Sequence, residues 1–134
     1  MKIYYRSLLC IILGLAVLYL GACKATVRGI KGEESYQLNR SITKPNYWET
    51  VINKDVRPVY SAALAGVKDM GLDIITSKVD SLSGVIEGFY ADKTEYRIII
   101  SYQTPENTLI QINTGLTGSK SRTLQLFHAI EKRF

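Results

Sequence analysis

LDIITSKVDSLSGVIEGFYADKTEYRIIISYQTPENTLIQINT, residues 72–114, decides the fold. Four short runs rich in β-branched and aromatic residues, LDIITSKV, GVIEGFYA, TEYRIIISYQ and TLIQINT, are divided by turn-forming residues at Asp80 to Ser83, Asp92-Lys93 and Thr104 to Asn107 or Thr108. Connections this short make hairpins, and consecutive hairpins make an antiparallel meander. A turn at Asp92-Lys93 sets Phe89 opposite Tyr96 and Val85 opposite Ile100. At the next turn a five-residue loop pairs Tyr102 with Ile110 and Ile100 with Ile112, which gathers the isoleucines on one face. The other face then carries Arg97, Ser101, Gln111 and Asn113, with Ile86, Tyr90 and Ile99 among them.

Upstream, YWETVIN (47–53) alternates apolar and polar residues and predicts a first strand. DVRPVYSAALAGVKDMG (55–71) places Val56, Val59, Tyr60, Ala63, Leu64, Val67 and Met70 along one face of a helix at period 3.6. Asp55 suits the N-cap, Pro58 falls in the first turn where its missing N–H is harmless, and Gly71 suits the left-handed residue after the helix. Downstream, GSKSRTLQLFHAIEKRF (118–134) predicts a second helix, capped by Ser119, with Leu124, Phe127, Ile130 and Phe134 on one side. The order is β-α-β-β-β-β-α. Two amphipathic helices and a sheet with one apolar face imply an α+β two-layer sandwich: an antiparallel sheet of about five strands with both helices on one face.

The N-terminal part has a different character. Lys2 and Arg6 precede Ser7 to Leu20, 14 residues without a charge. As a helix this run is roughly 21 Å long, short of the ~30 Å hydrocarbon core, so a secretory h-region fits better than a span. Leu20-Gly21-Ala22-Cys23 follows and resembles the lipobox of bacterial lipoproteins. That resemblance implies cleavage before Cys23 and acylation of its thiol, with two or three chains giving a stable anchor. It further implies that Lys24, in place of an Asp, directs the protein to the outer membrane, facing the periplasm. Cys10 lies in the segment to be removed. The mature chain would then hold neither a disulfide nor a cysteine-based metal site.

The expected domains are a signal peptide (1–22), a lipidated Cys23 with a polar tether (23–46, containing Gly29, Gly32 and Pro45, with an extended stretch at Tyr36 to Ile42), and one folded periplasmic domain (47–134). From Tyr47 onward the chain resembles a family of small bacterial lipoproteins with a domain of unknown function. The resemblance rests on YWETVIN leading into DVRPVYSAALAGVKDMGL, on Asp80, Gly84, Ile86 and Glu87 in D-x-x-x-G-x-I-E, on ADKTEYRIII, and on the terminal helix from Gly118. It implies an envelope lipoprotein of this fold and assigns no catalytic residue.

The residues themselves point the same way. The net charge of +5 falls by two once Lys2 and Arg6 are removed, and the remaining basic residues are dispersed, which excludes a nucleic-acid stripe. His128 is the sole histidine, and in a terminal helix it reads as a solvent-edge residue. Carboxylate pairs for glycoside hydrolysis would have to come from Glu87, Asp92, Glu95 or Glu106, of which Asp92 and Glu106 lie in turns. Gly115-Leu116-Thr117-Gly118-Ser119 precedes a helix without P-loop or dinucleotide spacing, so it reads as a connection. No cofactor or metal is implied. The expectation is a non-enzymatic, lipid-anchored protein that contacts another envelope component through Ile86, Tyr90, Arg97 and Ile99. The alternative is a module holding a small apolar ligand or peptide in a cavity lined by Tyr60, Phe89, Ile98, Ile100 and Phe127.

Overall fold

A computed structural model describes residues 36–134; the expected signal peptide, Cys23 and the first part of the expected tether lie outside them. The elements follow the predicted order with one addition. They are β1 (Asn39–Arg40), β2 (Trp48–Ile52), α1 (Val56–Asp69), β3 (Asp73–Val79), β4 (Ser83–Phe89), β5 (Glu95–Thr104), β6 (Asn107–Thr114) and α2 (Lys120–Glu131). The sheet is antiparallel and six-stranded, in the order β1-β2-β6-β5-β4-β3.

The extra strand corrects the expected boundary. Residues 36–46, assigned to the tether, belong to the folded unit. Arg40 pairs with Trp48, the Ser41 N–H donates to the Tyr47 carbonyl at 2.9 Å, and Ser41 is buried. Tyr36 packs edge-on against Phe134 with ring centroids 5.7 Å apart.

Helix α1 ends as the sequence requires. Gly71 has φ +65°, its N–H donates to Lys68, and the Leu72 N–H reaches Val67: together a Schellman motif. Asp55 occupies the N-cap position in extended conformation, but its side chain makes no capping bond. In α2 the Ser119 hydroxyl accepts from the Arg122 N–H at 3.5 Å, and Leu126 is buried with Phe127 and Ile130. The helices meet where α1 has no side chain: a Cβ on Gly66 would lie 2.8 Å from the Ile130 backbone.

Both helices contribute to one core with the sheet, where Ile98, Ile100, Ile110 and Ile112 are fully buried beside Val59, Ala63 and Phe127. The isoleucines share the expected face, though the strands are slid by two residues. Ile100 opposes Ile110 and Ile98 opposes Ile112. The turn is shortened to Pro105-Glu106, and an irregularity between Tyr102 and Thr104 keeps the parity.

The β4–β5 hairpin departs from expectation in parity. Gly88 opposes Tyr96 and Val85 opposes Ile99. The Tyr90 N–H donates to Thr94 and the Lys93 N–H to Tyr90, so the loop is Ala91-Asp92-Lys93, with Lys93 at φ +66°. A turn closed by one left-handed residue adds a position to the expected two-residue loop and turns β4 over.

Candidate functional site

The inverted strand rearranges the expected contact surface. Ile86 is fully buried in the core. Tyr90 packs edge-on against the buried Tyr96 at 5.9 Å, and the Arg122 guanidinium of α2 lies 5.0 Å from its ring centroid. It therefore belongs to the helix side. Arg97 and Ile99 remain on the face the helices leave open, opposite Glu87 and Val85 of β4. The four residues do not form one surface.

That open face holds a shallow groove of about 360 Å³, lined by Tyr47, Ile75, Glu87, Phe89, Arg97 and Asn113, with Glu95 at its side. Strand alternation aims these side chains outward, because the neighbouring positions Ile98, Ile112 and Ile86 face the helices. Ile75 sits at the register shift between Ile74 and Thr76 in the edge strand β3 and is 65% exposed. A bulge there re-aims a side chain that regular pairing would place elsewhere.

Arg97 is the electrostatic centre of the groove, in direct contact with the Glu87 carboxylate. Burial opposes its charge, but Glu87 and the Tyr47 hydroxyl outweigh that and raise its pKa. Asn113 donates to the Asn46 carbonyl at 2.7 Å. The Gln111 amide donates to Glu49 at 2.7 Å and lies 3.4 Å from the Ser41 hydroxyl, while Lys44 donates to the Gln111 oxygen at 3.5 Å. These polar groups are largely engaged with one another. Such a surface can recognise, through two aromatic rings, an exposed isoleucine and a half-exposed guanidinium; it presents no nucleophile paired with a base.

The other candidates are dispersed. His128 is exposed, with Nδ1 3.4 Å from Glu131 one turn on. Glu106 is exposed in the β5–β6 turn. Asp92 is gripped by Arg122 in two contacts, of 3.1 and 2.5 Å. Glu87 and Glu95 both line the groove, and Arg97, two residues from Glu95 on β5, pairs with Glu87 across the strands. Of the five residues expected to line an internal cavity, Tyr60, Ile98, Ile100 and Phe127 are packed in the core, and Phe89 faces the open side. Phe89 therefore lies on the opposite side of the sheet from the other four.

The Asp92–Arg122 pair fastens the β4–β5 turn to α2, and it supplies a pH prediction. Its Arg122 partner, with the Thr94 hydroxyl and N–H, holds the Asp92 carboxyl far below the usual range near 3.8. A depressed carboxylate contributes stability that is present above the unfolded value and lost as pH falls through the folded one. The stability gap between the natural chain and Asp92→Asn should be constant above about pH 4 and shrink as the solution is acidified below it. Paired urea titrations measure this, and a gap that grew on acidification would contradict the sign.

The chain thus presents a two-layer α+β domain with one sheet face under helices and the other open and grooved. Among the described residues no three His, Cys, Asp or Glu are grouped to hold a metal ion, and no helix is long and apolar enough to cross a membrane. It belongs to the family described as protein of unknown function (DUF3568), which matches residues 6–133. No curated protein matches the chain.

Proposed function

We propose that this chain is a non-enzymatic, lipid-anchored lipoprotein of the bacterial cell envelope that recognises another envelope protein through the open face of its sheet. The carrying observation is the asymmetry of that sheet. Two helices bury one face, while the other keeps Tyr47, Phe89, Ile75 and Arg97 around a groove. Aromatic residues and arginine are the types enriched at protein interfaces, and an Arg beside aromatic rings fits a partner that presents a carboxylate or backbone carbonyl next to an apolar side chain. The anchor reading is supported by the 14-residue uncharged run ending at Leu20-Gly21-Ala22-Cys23, which lies within the family match. Lys24 favours the outer membrane, with the domain facing the periplasm.

One preparation tests both parts. The membrane-extracted protein should have a mass that begins at Cys23 and carries acyl chains, and this species should be absent from Cys23→Ser. A photo-crosslinker at Ile99 should capture a discrete partner that is lost in Tyr47→Ala with Arg97→Ala. A mass beginning at Met1 would sink the cleaved anchor. Crosslinking unchanged by the paired substitution would sink the open face as the contact.

A further inference from the structure

We infer that the rim of the sheet at the start of β2 and the end of β6 docks on an anionic lipid surface, an orientation that rests on the proposed anchor at Cys23. The two most exposed large hydrophobic residues among those described are Ile42, at 96%, and Leu116, at 93%. They stand on different loops, 41–47 and 115–119, which the fold ties together. Arg40 donates to the Thr117 carbonyl at 3.4 Å, Asn113 holds Asn46, and a Cβ on Gly118 would lie 2.1 Å from the Asn46 oxygen. Backbone contact this close fixes both loops, so Ile42 and Leu116 are presented by rigid structure.

The surrounding charge is positive. Arg40 and Lys120 lie 5.7 and 5.4 Å from the ring centroid of Trp48, and Lys44 lies 5.3 Å from that of Tyr47. Among the described residues none of the three is in an ion pair, and the Arg40 guanidinium donates to the carbonyl oxygens of Pro45 and Thr117. The carboxylates nearby are Glu49, held by Gln111, Asp92, neutralised by Arg122, and Glu95. Exposed aliphatic tips on loops that carry or adjoin these three cations, with an indole at the same rim, are the composition of a lipid headgroup contact. A protein partner of ordinary kind would meet a flat patch; here the two apolar side chains project singly from loops.

The tether allows it. Thirteen residues from Cys23 to Tyr36 reach at most roughly 45 Å. Held within that distance, the rim meets the bilayer at high effective concentration. Contact through the end of the sheet also leaves the groove on its face open to a partner.

Trp48 is the only tryptophan, so its fluorescence reports the rim. The full chain with its anchor, in vesicles of phosphatidylglycerol with brominated acyl chains, should show quenching that is weak in brominated phosphatidylcholine and reversed by salt. Quenching should be lost when Ile42→Ser and Leu116→Ser are combined, and kept in Leu82→Ser, an exposed apolar residue elsewhere. Lys120→Gln should lower docking by up to roughly fivefold. Both loop residues are almost fully exposed, so these variants fold. Equal quenching in the double variant would overturn the proposal. Acyl chains on Cys23 without quenching would overturn the rim and leave the anchor standing. Quenching without acyl chains would support the rim and overturn the anchor.

Discussion

Gly88→Ala should destabilise the domain by about 3 kcal/mol and lower its melting temperature by roughly 15 °C, a large effect for one methyl group. A Cβ at this position would lie 1.7 Å from the Asp73 carbonyl oxygen and 2.7 Å from the Tyr96 hydroxyl. The Tyr96 hydroxyl donates to that same carbonyl at 2.8 Å, passing over Gly88 from β5 to β3. The glycine is therefore the gap through which a central strand bonds to an edge strand across the one between. Filling it displaces backbone on one side and a buried ring on the other, and breaks a hydrogen bond worth about 1 kcal/mol. Burial, Tyr90 and Asp73 together push the Tyr96 pKa up to about 12, which marks how enclosed that hydroxyl is. Gly71→Ala is the comparison. It too is a glycine, with φ +65°, but nothing lies within 4 Å of its Cβ position, so only backbone strain of about 1 kcal/mol is expected. Thermal melts of the two variants separate steric exclusion from conformational preference. Equal losses would mean that Gly88 is there for its backbone and that Tyr96 does not bridge the strands.

The same glycine explains what could and could not be read from the sequence. Periodicity disclosed α1 and its cap at Gly71, because seven apolar residues repeat at helical spacing and a Schellman ending needs only local residues. It disclosed the meander and the shared face of Ile98, Ile100, Ile110 and Ile112, because a two-residue slide preserves parity. Strand β1 falls inside the extended stretch expected at Tyr36 to Ile42, but two residues, Asn39 and Arg40, are too few to show a period, so nothing in the sequence ties that stretch to the sheet. The face of β4 was hidden for a sharper reason. Its inward residues are Gly84, Ile86 and Gly88, two of which have no side chain to register as apolar, while Val85 and Phe89 face outward and look like core. Tyr60 fills the space over Gly84, where a Cβ would lie 2.8 Å from its ring, and Tyr96 fills the space over Gly88. Apolar volume that belongs to this face is supplied by α1 and β5. The Asp92-Lys93 turn offered no correction, since the left-handed position of its three-residue loop, usually Gly, is Lys93. The groove depends on the same parity: Glu87 and Phe89 stand on the face of Arg97 only with β4 in its observed register.

Ile86→Ala should cost about 3 kcal/mol, whereas Val85→Ala beside it should cost about 1 kcal/mol or less. Ile86 is completely buried and joins the cluster between sheet and helices, so truncation leaves a cavity lined by residues that cannot collapse into it. Its flanking inward positions are glycines, which sharpens the effect: no side chain on the same strand can swing in to fill the void. Val85 is half-buried on the open face, where water replaces the lost methyl groups. Urea titrations of the two variants, with the slope checked for constancy, give the comparison directly. The reverse order, Val85 costly and Ile86 cheap, would turn β4 over again. Glu87 would then point toward the helices, its contact with Arg97 would not exist, and Phe89 would leave the groove for the core. The stability of a residue remote from any partner thus tests the proposed recognition surface. The side of the sheet that carries the buried isoleucine determines which side can carry Glu87, Phe89 and Arg97 outward together.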